Sequence, residues 1–105
     1  NMAYIDFSGL EVKQINFNGS LLNGAKLVDS KFISCVFKGV DFSNADFSGA
    51  DFSGSEITDA NLKKTTVNET NLSSTKLNNL DFRRAFVTNV NIKNAELVSV
   101  SGLGN

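Results

Sequence analysis

Large apolar residues recur along this chain with a period of five. The series Met2, Phe7, Val12, Phe17, Leu22, Leu27, Phe32, Phe37, Phe42, Phe47, Phe52, Ile57, Leu62, Val67, Leu72, Leu77, Phe82, Val87, Ile92 and Leu97 runs through 20 pentads and first fails at Gly102. Two residues before each of these centres lies a second series of small or apolar residues, from Ile5, Leu10 and Ile15 through Ser20, Ala25, Ser30 and Cys35 to Val100. The two phases hold 34 of the 43 apolar and aromatic residues, and the other three phases share nine. No insertion or deletion interrupts the phase.

Such a period fits neither the 3.6-residue repeat of a helix nor the two-residue repeat of a long strand. Within each pentad the two apolar positions are two apart, as in a strand, but the step to the next pair is three. The chain must therefore turn a corner once per pentad. Short extended sides with regular corners, always burying the same side, wind into a β-solenoid. The abundance of Ser, Asn, Asp, Thr and Gly argues independently against helix and for an all-β fold.

The pattern small–Asp/Asn–Leu/Phe–x–x, seen in Ala45-Asp46-Phe47-Ser48-Gly49 and Ala60-Asn61-Leu62-Lys63-Lys64, resembles the pentapeptide-repeat family. The resemblance covers residues 2–101 and makes residues 1–105 a single domain. It implies a right-handed, four-sided β-solenoid with four pentads per coil, hence about five coils of 20 residues. At a strand spacing of ~4.8 Å the tower should stand about 24 Å tall.

With residues 20 apart stacked, the five consecutive aromatic centres from Phe32 to Phe52 should form the best-filled part of the core. Ser20, Ser30, Ser55, Thr65, Thr70 and Thr75 fall on the second inward phase, so their hydroxyls need backbone partners at the corners. Cys35 shares that phase and reads as a buried structural thiol. Bulky Ile5, Leu10 and Ile15 predict a first coil that plugs its own bore. Regular winding should end near residue 101 with no helix to cover the last coil, so the chain reads as a piece of a longer one. The uncovered edge suits end-to-end association.

The position before each centre is Asp, Asn or Glu in 13 of 21 pentads. In one coil it reads Asp41, Asp46, Asp51, Glu56, one carboxylate per side, pointing apart and unable to share a substrate as acid–base pairs must. The cations are less even. Lys63-Lys64 and Arg83-Arg84 are 20 residues apart, which stacks them ~5 Å apart on successive coils. This basic patch, partly offset by Asp81, suits an acidic peptide, a phosphate or a nucleic-acid backbone. Phe86 is the only Phe off the centre phase, and Ile33 and Val36 flank one corner. Lys63, Lys64, Arg83, Arg84, Phe86, Ile33 and Val36 are thus the candidate partner-binding residues.

Composition narrows the function. Ten Lys and Arg against 11 Asp and Glu give a net charge of −1, a balance that argues against broad adhesion to nucleic acid. Without His, and with one Cys, the chain lacks the residues for a Ser-His-Asp triad, a histidine zinc site or an internal disulfide. No apolar run is long enough to cross a membrane as a helix, and no phosphate-binding loop is present. No cofactor, metal or catalytic residue is expected. The expectation is a rigid non-catalytic protein-interaction scaffold, the repeat module of a larger bacterial protein. Its texture is similar to repeat segments of secreted effectors, which places it in the cytoplasm or delivered to a host cell. The alternative implied by the resemblance is a DNA mimic that protects gyrase or another topoisomerase. That role needs a strongly negative surface.

Overall fold

Every β pairing joins residues 20 apart in this computed structural model, which describes residues 1–103. The elements are β1 (Glu11–Lys13), β2 (Lys31–Ile33), β3 (Val36–Lys38), β4 (Glu56–Thr58), β5 (Thr66–Asn68), β6 (Lys76–Asp81), β7 (Phe86–Thr88) and β8 (Glu96–Ser101). All pairs are parallel: β1 with β2, β5 with β7, and the row β3-β4-β6-β8. Single bridges such as Leu21↔Asp41↔Asn61 and Lys31↔Asp51↔Asn71↔Asn91 complete the walls. An offset of 20 and a corner every five residues define a four-sided β-solenoid. We number its coils first to fifth from residues 1, 21, 41, 61 and 81. The molecule measures 31 × 25 × 23 Å, as a tower of about five coils should.

The residue before each centre decides what its corner does. Where it is Asp or Asn, its side-chain oxygen accepts the amide two residues on, at 2.8–3.0 Å, in all ten pentads. A tight turn follows, often closed by a second bond such as Ala45 N to Phe42 O (2.9 Å). Where it is anything else, that short-range acceptor is lost and the side stays extended. All eight strands begin at such a residue: Glu11, Lys31, Val36, Glu56, Thr66, Lys76, Phe86 and Glu96. Leu21 and Lys26 depart from this rule and still precede turns.

At the second residue after the centre the backbone enters the left-handed region in 19 of 20 pentads, thirteen of them at non-glycine residues such as Asn44 (φ 61°). Arg84 is the exception. The regular winding closes at Gly102 (φ 88°), where an added Cβ would lie 2.5 Å from the Arg83 nitrogen. The apolar centre series therefore fails at Gly102 because the chain there lies against the backbone of the coil below.

Phe32, Phe37, Phe42, Phe47 and Phe52 are all at most 1% exposed. Rings one coil apart stack, Phe17 on Phe37 at 4.9 Å and 2°, while rings across a corner meet tilted or edge-on, Phe37 on Phe42 at 50° and Phe42 on Phe47 at 89°. The buried hydroxyls do find carbonyls. Ser55, Thr65 and Thr70 donate to Phe32, Phe42 and Phe47 in the coil below (2.7–2.9 Å), and Ser30 and Thr75 donate within their own coil (2.6 Å). Cys35 is 1% exposed, and burial pushes its thiol pKa up, as suits an inert core residue.

The bulky inward residues of the first coil are only partly covered. Ile5 and Leu10 are half-buried and Ile15 is 42% exposed, because inward side chains of the bottom coil have no coil beneath them. At the other end Leu97 and Val98 are exposed and no helix covers them among the described residues.

A basic corner beside an open seam

Lys63 and Lys64 follow the centre Leu62, and Arg83 and Arg84 follow the centre Phe82 one coil above. All four side chains are exposed. The structure splits the quartet. Asp81 takes the Arg83 guanidinium at both oxygens (Nε 2.9 Å, Nη2 3.0 Å), and also the Arg83 amide (2.9 Å) and the Ser101 hydroxyl (3.3 Å). The Arg83 side chain and amide hold the Asp81 carboxyl well below the usual carboxylate range, and the same pair raises the Arg83 pKa. Arg83–Asp81 is the only ion pair among the described residues. Lys63, Lys64 and Arg84 have no carboxylate partner among them.

The regular stacking expected of these pairs fails at the same place. Every wall is bonded from coil to coil except at Asn61–Asp81. By the pattern one coil below, where Phe42 N donates to Asn61 O (2.9 Å) and Asn61 N to Val40 O (3.0 Å), the Leu62 amide should meet the Asp81 carbonyl and the Asp81 amide the Ala60 carbonyl. Neither bond forms among the described residues. At the adjoining corner the Lys64 amide slips one residue, to Arg84 O (2.8 Å), whereas Asn44 keeps the regular partner Lys63 O.

Two features adjoin this break. Leu80 fills an inward position that Ser20, Val40 and Ala60 occupy in lower coils, and it is 3% exposed. The strand β6 is also tied upward, with Leu80 and Asp81 paired to Val100 and Ser101, and Phe82 N bonded to Ser101 O at 2.8 Å. At the seam lies a cavity of about 200 Å³ lined by Ala60, Asn61, Leu62, Lys63, Asp81 and Arg84. Ala60 is half-buried there, although Val40 and Leu80 in its column are 1% and 3% exposed.

Phe86 lies around the corner from Arg84 at the start of β7, paired with Thr66 and 62% exposed. Ile33 and Val36 stand elsewhere and are half-buried: Ile33 pairs with Lys13, and Val36 lies between Asn16 and Glu56. The structure thus brings Lys63, Lys64, Arg84 and Phe86 together, commits Arg83 to Asp81, and leaves Ile33 and Val36 apart. The open seam has no direct sequence mark except Leu80, a large residue on a phase otherwise rich in small ones.

A tower of pentads with four corners per coil is the architecture of one protein class. The family model for a pentapeptide repeat region matches residues 35–101, and that for pentapeptide repeats in eight copies matches residues 1–39 and 15–54. The chain belongs to the pentapeptide-repeat family. It is similar in fold to HetL, a pentapeptide repeat protein involved in heterocyst differentiation regulation from the cyanobacterium Nostoc (TM-score 0.75, 19% identity, 94% of this chain and 49% of HetL). This chain spans about half the length of HetL. Looser likenesses are Rfr23, a pentapeptide repeat protein from the cyanobacterium Cyanothece (TM-score 0.41, 16% identity, 91% and 86% covered), and QnrB1, a plasmid-mediated fluoroquinolone resistance protein (TM-score 0.42, 16% identity, 87% and 53% covered). No curated protein matches the sequence.

Proposed function

We propose that the chain is a rigid, non-catalytic protein-interaction scaffold, the repeat module of a larger bacterial protein. Its docking face is the corner that carries Lys63, Lys64, Arg84 and Phe86. One observation carries the reading: three exposed cations and an exposed Phe lie beside the one wall that, among the described residues, fails to bond. Inward phases pack, and the Asp and Asn oxygens that could otherwise do chemistry cap turns. An exposed aromatic beside cations is the composition of an interface anchor. HetL, on the same fold, is involved in heterocyst differentiation regulation, a precedent for a regulatory role. A DNA-mimic role is disfavoured by a net charge of −1 and by the cations on this corner.

The test is affinity capture from bacterial lysate by the wild-type protein and by a variant carrying Lys63→Glu, Lys64→Glu, Arg84→Glu and Phe86→Ser, followed by calorimetry with the captured protein. A partner lost by the variant at unchanged thermal midpoint supports the assignment. The same proteins bound at the same affinity would remove this corner from the docking face.

A further inference from the structure

The open seam deepens that reading and rests on it, because it names the chemistry of the partner. We propose that the seam at Asn61–Asp81 is a receptor for a carboxylate side chain of an acidic partner peptide, held between Lys63 and Arg84 at its mouth. Three features of the molecule converge on this assignment.

First, the break leaves donors unused. The Leu62 and Asp81 amides lack the carbonyls that a bonded wall would supply, and both residues line the cavity at the seam. Amides without a protein acceptor favour an incoming one. The Ala60 and Asp81 carbonyls released by the same break suit water in the floor of the cavity. Second, the cavity is bordered by two cations, Lys63 and Arg84, neither of which has a carboxylate partner among the described residues. Third, the one anion at the site is already satisfied. Asp81 accepts from the Arg83 side chain, the Arg83 amide and the Ser101 hydroxyl, so it does not compete for Lys63 or Arg84. A cavity of about 200 Å³ admits a single carboxylate with water and is too small for an extended backbone to lie inside it. The peptide therefore crosses the outside of the corner, where exposed Phe86 provides apolar surface next to Arg84.

The experiment uses backbone-amide NMR of the whole chain with hexaglutamate as the probe. In the free protein the Leu62 and Asp81 amides should exchange with solvent faster than the bonded Phe42 and Asn61 amides one coil below. Hexaglutamate should shift and protect Leu62 and Asp81. Lys63→Gln with Arg84→Gln should weaken its binding about tenfold or more, while Lys13→Gln with Lys93→Gln leaves it unchanged. All four substitutions are on exposed residues, so folding is not at risk. Three outcomes overturn the assignment: Leu62 and Asp81 protected like Phe42 in the free protein; equal weakening by both variant pairs; or inorganic phosphate shifting the same amides while hexaglutamate does not. Loss of hexaglutamate binding alongside retained partner capture would sink the receptor and leave the docking face standing.

Discussion

The hydroxyl of Thr65 donates to the carbonyl of Phe42, 23 residues earlier and one coil below, at 2.7 Å. That carbonyl also accepts the Ala45 amide at 2.9 Å, so the Thr65 bond is an added tie between the third and fourth coils. Thr65→Val keeps the shape and removes the tie. It should destabilise the fold by about 1 kcal/mol in denaturant titration, because the Phe42 carbonyl keeps one partner. A neutral result would mean that water or a rotated neighbour replaces the hydroxyl.

The aromatic stack sets a larger scale. Phe37 is 0% exposed and meets Phe17, Phe32, Phe42 and Phe52. Phe37→Ala should cost about 3–5 kcal/mol, from lost transfer energy and the cavity left behind. Phe86→Ala, at 62% exposure, should change stability by no more than about 0.5 kcal/mol. Comparable losses at the two sites would show that Phe86 packs in solution.

The turn-capping rule predicts a difference between two acids of equal charge. Asp46 accepts the Ser48 amide at 2.9 Å, whereas Glu11, Glu56 and Glu96 at the same phase begin extended sides. An extra methylene carries the carboxylate beyond its own turn. Asp46→Glu and Asp46→Ala should each cost about 0.5–1.5 kcal/mol and Asp46→Asn much less, measured by thermal melting. Equal effects of Glu and Asn would refute the rule.

Corner conformation separates two glycines. Gly39 (φ 67°) has open space where a Cβ would be, and Asn44 holds the same conformation at the same phase, so Gly39→Asn should stay within about 0.5 kcal/mol. Gly102→Ala meets the Arg83 backbone and should cost about 1–3 kcal/mol. Melting curves of the two variants check both.

Acid titration reports on the Arg83–Asp81 pair. A carboxyl whose folded-state pKa is depressed adds stability above its unfolded value of ~3.9. That stability is lost as the pH falls through the lower folded value. Carboxyl NMR should therefore find Asp81 still ionised where ordinary aspartates are half protonated, and Arg83→Ala should raise its pKa toward the usual range, with the residue-83 amide and Ser101 still holding it down in part. The Ser8 hydroxyl and amide hold Asp6 down in the same direction, so Ser8→Ala should raise it. An Asp81 that titrates normally in the wild type would mean the ion pair does not persist in water.

Much of this was legible in the residues. The phase of Phe32 to Phe52 announced their burial, and the polar members Ser55, Thr65 and Thr70 announced carbonyl partners, because a buried hydroxyl has few alternatives. The pairing of Arg83 with Asp81 was half visible, since Asp81 stood beside the patch, but its capture of both guanidinium nitrogens depends on side-chain geometry. Ile33 and Val36 looked like a patch because their phase points outward, yet neighbouring coils cover them by half.

The sequence by itself determined the winding. A five-residue apolar period with no slip fixes two inward phases and a corner per pentad, so solenoid class and core follow from local spacing, while the 20-residue coil came from the family resemblance. Only the tertiary structure decided where the winding fails. The Asn61–Asp81 seam is a missing pairing between residues 20 apart, next to β6, which bonds to the coil above, and no single pentad records it. Periodicity specifies what every coil shares. The docking corner proposed here arises from what two particular coils do not share, and that is expressed only when they stack.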